Sequence, residues 1–349
     1  MNVQRFRALL QIPLLGLFST LSVISASKAD APFYAGKTVT IVVGGEAGAS
    51  YDLYARLLGE FLPKYLPGRP AVVVQDMPGA NGALSAGYMA NQAVADGTII
   101  AECVSNLPTY PLLHPDVAKF DAAKLSWIGS VTKDIYVAYV GQGAPINSYE
   151  GAKKTQAIMG GVLAGAASVQ LAVVSNALFG TKFKIVPGYG SESKIELAIE
   201  RGEVQGSFGA VYTTLKTDHA DWLRNGKVKI ILQHGLEKID DLADVPLFID
   251  QARTTDERQM LTFLLAPQEF NKPFYAPPGI PAERLELLRR AFDATVKDAD
   301  FLAAATKANV AVLDPMRGED VAAAVNEITT TPRPVIDRLK SIFADFAAR

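Results

Sequence analysis

Gly44, Gly45 and Gly48, with Ser50 and Asp52 just after them, are the first residues of the 349-residue chain whose types and spacing point to chemistry. That chemistry is anion capture. Glycines let the backbone turn tightly and approach a ligand closely. Amides at a helix start, with the helix dipole behind them, hold a negative group without Lys or Arg. The same composition returns at Met77 to Gly82 (MPGANG), Ser105-Asn106, Gly160 to Ala167 (GGVLAGAA) and Pro187 to Gly190 (PGYG). One such loop alone is an ordinary strand-to-helix turn; its recurrence is the signal.

Other chemistries have less behind them. No G-x-G-x-x-G, P-loop, H-E-x-x-H or CxxC pattern occurs, so nucleotide and zinc sites lack local support. Ala83 to Gly87 (ALSAG) lacks the first Gly of a nucleophile elbow and falls inside an expected helix, which makes Ser85 a packing residue. His114, His219 and His234 are scattered outside the Gly-rich loops, and a structural role is expected of each. Asp52 is a conceivable carboxylate base, but in the first turn of a helix it more simply complements the dipole.

The elements that position these loops follow from periodicity. Thr38 to Val43 is a β-branched run, as in a strand buried on both faces. Ser50 is the expected N-cap of a helix beginning near Tyr51, where Leu53, Leu57, Leu58 and Phe61 recur at helical spacing. Pro67 to Pro70 stops it, Ala71 to Gln75 is a second strand, Ala83 to Ala93 a second helix and Thr98 to Cys103 a third strand. Right-handed crossovers place the three strands parallel, with the loops 44–50, 78–82 and 105–106 at one carboxyl edge. Ser126 to Val131 and Ile135 to Val140 then carry the chain into a second half. There Ala157 to Met159, Lys184 to Val186 and Gln205 to Phe208 repeat the strands. Helices fall at Ser168 to Leu178, with Ser168 as expected N-cap, and at Ser191 to Glu200. Val228 to Leu232 is another strand. Thr262 to Ala266 and Phe274 to Ala276 read as extended crossings back. Helices at Ala282 to Val296 and near Phe301 to Asn309, Gly318 to Ile328 and Pro334 to Phe346 are expected on the first half. The result is an α/β chain whose two lobes aim Gly-rich helix starts at a shared cleft.

Composition sets the bounds. Residues 1–29 have a signal-peptide pattern: Arg5 and Arg7, an apolar stretch from Ala8 to Ile24, and Ser27-Lys28-Ala29 as cleavage site. Export to the periplasm is expected, with no membrane insertion of the mature chain. Without them 31 basic residues stand against 36 acidic ones, net −5, which gives no footprint for nucleic acid. Cys103 is the one cysteine, so no internal disulfide forms. About 320 mature residues exceed what one hydrophobic core supports, so two lobes are the default.

With those segments in hand, the chain resembles the Bug family, periplasmic receptors of tripartite tricarboxylate transporters with a type II periplasmic-binding-protein fold. The matching stretches are Gly48 to Arg56 (GASYDLYAR), Val74 to Gly82 (VQDMPGANG), Asp96 to Thr98 (DGT), Val186 to Gly190 (VPGYG), Ile199 to Gly206 (IERGEVQG) and Phe274 to Glu283 (FYAPPGIPAE). The resemblance implies a Venus-flytrap pair of lobes, each a mostly parallel sheet flanked by helices. Lobe 1 takes residues 30–134 and 266–349, and lobe 2 residues 135–265. It implies a monomer that takes a small di-, tri- or aromatic carboxylate without cofactor or metal and delivers it to integral membrane permease subunits.

Carried over, the ligand-binding set is Gly48, Ala49, Ser50, Tyr51, Asn81, Ser105 and Asn106 in the first lobe. In the second it is Gly165, Ala166, Ala167, Ser168, Tyr189 and Ala210. The loops depart from the family pattern at Glu46 and Ala47 and at Leu163 and Ala167, where added side chains narrow the space near the amides; Glu46 is expected to point outward. Tyr51, Tyr189, Phe208 and Tyr212 are open to stacking on an aromatic acid or to plain core and rim roles. Two rival readings remain: a secreted enzyme on the same architecture with Asp52 as base, and a ligand-reporting partner of a sensor kinase.

Overall fold

The computed structural model describes residues 31–348, so the expected leader lies outside the described residues. The chain opens with β1 (Thr38–Val43), α1 (Ser50–Phe61), β2 (Ala71–Asp76), α2 (Ala83–Asn91), β3 (Ile99–Glu102) and the short α3 (Tyr110–Leu113). β1 pairs parallel with both β2 and β3, and Val43 lies opposite Asp76 on one side and Glu102 on the other. Val39, Ile41, Val42 and Val43 are all buried, as the β-branched run required. β4 (Ser126–Thr132) and β5 (Tyr136–Gly141) follow almost without a break.

The second half holds α4 (Tyr149–Lys154), β6 (Ala157–Gly161), α5 (Ala167–Phe179), β7 (Phe183–Pro187), α6 (Glu192–Glu200) and β8 (Gly206–Val211). It continues with α7 (Tyr212–Asp218), α8 (Ala220–Arg224), β9 (Val228–His234) and α9 (Thr255–Leu265). β10 (Asn271–Ala276) returns to the first half, followed by α10 (Ala282–Thr295), α11 (Ala299–Lys307), β11 (Met316–Arg317), α12 (Gly318–Thr329) and α13 (Arg333–Ala347). The strands form two mixed sheets, ordered β11-β4-β10-β3-β1-β2 and β7-β6-β8-β5-β9. In each, a parallel βαβαβ core is extended by antiparallel crossing strands.

Two stretches depart from the sequence reading. Thr262 to Ala266, expected as extended, is helical: Thr262 to Leu265 end α9 and Ala266 opens the 3-10 turn after it. The helix is set upstream, where Thr254 Oγ1 accepts from the Glu257 amide at 3.1 Å and Glu257 Oε2 accepts from the Arg253 amide at 2.7 Å. That reciprocal capping fixes the start, and buried Met260, Leu261 and Leu265 continue it. Of the C-terminal helices expected on the first half, α10 and α12 lie on β4 and α11 lies on α1, but α13 lies against α5 and α9. Its buried Val335, Ile336 and Leu339 join the core shared by both halves.

The halves are joined by a two-stranded ribbon. Asn271 of β10 pairs with Thr132 of β4, and the Ser130 hydroxyl donates to Asn271 O at 2.5 Å. Just beyond, the Tyr136 amide donates to buried Gln268 Oε1 at 2.7 Å, and the Lys133 and Glu269 side chains form an ion pair at 2.5 Å. At the end of β9, His234 is fully buried between the rings of Phe208 and Phe248, and neither of its ring nitrogens has a hydrogen-bond partner among the described residues.

Candidate ligand-binding cleft

Both Gly-rich loops run into helices that no side chain caps. α1 begins at Ser50 with Ala49 as N-cap, and α5 begins at Ala167 with Ala166 as N-cap. Ser50 and Ser168 are therefore not the caps expected of them; each sits inside the first turn. Ser168 is buried, and its Oγ accepts from the Val162 amide at 3.1 Å, tying the loop to its own helix. The first amides of a helix have no intrahelical acceptor, and an alanine cap offers no side-chain one. The amides of Ser50 and Tyr51 in one half and of Ala167 and Ser168 in the other thus rely on an outside partner.

The two starts share one cleft. A cavity of about 370 Å³ is lined by Ser50 and Tyr51 from α1 and by Ala166, Ala167, Ser168 and Ala210 from the second half. It adjoins a cavity of about 520 Å³ lined by Tyr51, Ser105, Asn106, Gly165, Ala166 and Ala167. Nine of the thirteen residues singled out in the sequence are thus brought to one place. Four are not on these linings. The Gly48 amide donates to Asp52 Oδ2 at 2.7 Å, and the Ala49 amide donates to Glu46 O at 3.1 Å. Neither amide is free for a ligand. The Tyr189 amide is bound to Gly161 O at 3.2 Å and its ring packs beside Ile195 and Val204. Asn81 stands in a short 3-10 turn whose neighbour Ala80 borders the larger cavity, and its side chain lies outside the described residues. Glu46 is exposed, as expected.

Asp52 is a structural pin. Its carboxylate is 2 % exposed, takes the Gly48 amide, and has Arg56 Nε at 2.8 Å from Oδ1. Burial would raise its pKa, but the bonds from Arg56 and Gly48 outweigh this and hold it below the ordinary value. A carboxylate lowered on folding adds stability that is present above about pH 4 and lost as pH falls further. Asp52→Ala is expected to cost about 1.5–3 kcal/mol at neutral pH, the worth of hydrogen bonds to a charged group. Urea unfolding measures it; a wild-type midpoint would show that the pin carries no weight.

Lys272 lines the smaller cavity, and other ionisable groups that the sequence reading passed over lie near it. Lys272 of β10 is 8 % exposed, adopts φ 61°, and lies with Nζ 3.8 Å from the centroid of the Tyr51 ring. Among the described residues it hydrogen-bonds to Asn271 Oδ1, at 3.5 Å. Burial lowers its pKa, and nearby Glu102 and Asp134 work the other way. Glu102, fully buried with neither oxygen hydrogen-bonded among the described residues, is pushed well above the carboxylate range by burial, with Lys272 easing the shift. Asp134 accepts from the Ile135 amide at 2.8 Å and from the Thr213 hydroxyl. The Tyr51 and Tyr136 phenols both interact with Ser105, and burial raises both. His114 borders the far end of the larger cavity. A lysine between Asn271 and Pro273 was visible in the sequence, but its burial depends on the Tyr51 and Tyr54 rings of α1, from the opposite end of the chain.

The arrangement resembles known proteins. No family model matches the chain. A 108-residue stretch is 34 % identical to a UPF0065 protein of Bordetella bronchiseptica, and this match spans 31 % of each chain, about a third of the relative's length. Among solved structures, a TctC solute binding protein from Polaromonas superposes with TM-score 0.68 at 18 % identity, over 89 % of this chain and 99 % of that one. The periplasmic binding protein BugD gives TM-score 0.59 at 19 % identity over 90 % and 99 %. MatC from Rhodopseudomonas palustris, with bound malate, gives 0.57 at 20 % over 88 % and 99 %. These neighbours are TctC and BugD binding proteins, as the Bug-family resemblance of the sequence implied, and the chain has their two-lobed periplasmic-binding-protein fold.

Proposed function

We propose that the protein is a periplasmic solute receptor of the Bug type, which closes its lobes, residues 30–134 with 266–349 and residues 135–265, on a small organic acid and presents it to a membrane permease. The observation that carries this reading is the meeting of two side-chain-free helix starts, Ser50-Tyr51 and Ala167-Ser168, on one cavity of about 370 Å³. A carboxylate there takes amides from both halves and so rewards closure. The malate held by MatC is an acid of this size class. Among the described residues no helix is long and apolar enough to cross a membrane, so the permease is a separate chain in this reading.

The magnitudes require more than the dipoles. One helix start contributes about 0.3–1 kcal/mol to an anion, up to about 2 when partly buried, whereas micromolar binding needs about 8 kcal/mol. Charge-assisted hydrogen bonds of about 1.5–3 kcal/mol each supply the rest once water is excluded. Calorimetric titration with malate, succinate, citrate and adipate, paired with small-angle scattering, tests this. Micromolar binding with a fall in radius of gyration is expected, and mass spectrometry should recover the acid unaltered. An absence of binding across di- and tricarboxylates would overturn the reading.

A further inference from the structure

Asp52 has a second acid beside it. Val43 lies opposite Asp76 at the end of β2, and there the Asp76 carboxyl hydrogen-bonds to the carboxyl of Asp52. One guanidinium serves both acids: Arg56 Nε donates to Asp52 Oδ2 at 2.9 Å, while its Nη2 is 3.5 Å from Asp76 Oδ2. Asp76 Oδ1 is buried, and no donor among the described residues reaches it. Two carboxylates in contact repel, so such a pair keeps one proton between its members. Burial, then the charge of Asp52, holds the Asp76 carboxyl above its ordinary value, with Arg56 easing the shift. Asp52 stays below its own in spite of burial, through the bonds from Arg56 and the Gly48 amide. The proton therefore rests on Asp76 and the charge on Asp52.

We propose that Asp76 is a positioning residue of the receptor: the proton it shares with Asp52 couples the two Gly-rich loops of the first half, 44–50 and 77–82, and its loss weakens ligand binding. This rests on the receptor reading and adds to it the groups that hold one wall of the site. The route is short. Asp52 Oδ2 holds the Gly48 amide at 2.7 Å, Gly48 leads into the uncapped start of α1, and Asp76 opens the loop whose Ala80 borders the larger cavity. With the proton in place the two acids are drawn together; without it two like charges share one guanidinium, and the Gly48 turn loosens. The charged groups facing the pair are Arg56 from α1 and Glu102 from β3, which burial keeps above the carboxylate range. The Asp76 carboxyl is raised on folding, so its contribution is present at low pH and lost as pH rises through the raised value, whereas that of Asp52 is lost as pH falls below about 4. Between these limits the loop is held best.

Asp76→Asn and Asp76→Ala test the coupling, since the asparagine amide donates to Asp52 at every pH and alanine donates at none. Calorimetry uses whichever of malate, succinate, citrate and adipate binds wild type most tightly. Each variant is set against wild type at the same pH, so that the ligand's own titration cancels. Asp76→Asn should gain on wild type from pH 4.5 to pH 7.5 by about threefold, the low end of what coupled neighbours give. Asp76→Ala should bind more weakly than wild type at pH 4.5, with the gap closing towards pH 7.5; thermal melts check that both variants fold. Carboxyl NMR of the ligand-free wild type supplies the second readout. Asp52 and Asp76 should titrate as a coupled pair with two separated steps, reduced to one step for Asp52 in Asp76→Asn. A constant ratio between folded Asp76→Asn and wild type, or two independent titrations at ordinary carboxyl values, overturns the inference and leaves the receptor reading standing. Failure of all four acids to bind wild type overturns both. If neither variant folds, the wild-type titration decides alone.

Discussion

Gly209→Ala is expected to cost the protein both stability and ligand affinity, the second more than the first. A Cβ at position 209 of β8 would lie 2.6 Å from Ser168 Cα and 2.7 Å from Ser168 N. Those are backbone atoms of the first turn of α5, so nothing flexible yields. The helix start must retreat, and with it the Val162 amide that Ser168 Oγ holds. Overpacking of this kind costs about 1–3 kcal/mol, or roughly 2–4 °C of melting temperature for each kcal/mol in a chain of a few hundred residues. In the proposed site affinity falls further, because the amides of Ala167 and Ser168 leave the distance at which they would meet a carboxylate. Gly143→Ala, where an added Cβ meets nothing within 4 Å, is the control. A Gly209→Ala protein with wild-type affinity would remove the start of α5 from the site.

The second large effect is acid lability set by His234. Burial among aromatic rings pushes its pKa down to about 3, against about 6.5 in an unfolded chain. Between these values the unfolded chain binds a proton that the folded one refuses, so stability is whole above pH 6.5 and declines as pH falls towards 3. The full loss is on the order of 4–5 kcal/mol, of which about 2–3 is gone by pH 4.5. Glu192 acts with the opposite sign: its carboxyl is raised on folding, so its contribution is present at low pH and lost as pH rises through about 7. The difference between wild type and His234→Leu, measured by urea unfolding at pH 7 and pH 4.5, isolates the histidine. Parallel pH profiles for the two proteins would contradict the assignment.

The alternation of strand, loop and helix was legible from residues 38 to 211 because it rests on local periodicity and right-handed crossovers. So was the convergence of the loops, since parallel strands leave them no other edge. Caps were read less well. Serine is the favoured N-cap, yet Ser168 spends its hydroxyl on the Val162 amide and leaves the cap to Ala166, a choice made by the loop's fold rather than by the residue. Gly48 and Ala49 look free in sequence, but the carboxylate of Asp52 and the carbonyl of Glu46 reach them first. Nothing in the sequence sets Glu192 and Glu196 apart from the rest of α6; packing of that helix on β8 and β6 brings them to the cavity lining. Lys272 escaped for a similar reason, since no nearby residue announces that a tyrosine from α1 will cover it.

The stitched pair of crossing strands, β4 running out and β10 running back, has a mechanical consequence. Two strands bonded side by side flex readily about one line and resist sliding past each other, so the closure proposed above would be a swing rather than a shear. In the receptor reading, a mutation on the β4 side of the ribbon, away from the lining residues Asn271 and Lys272, should therefore alter the speed of opening and shutting together.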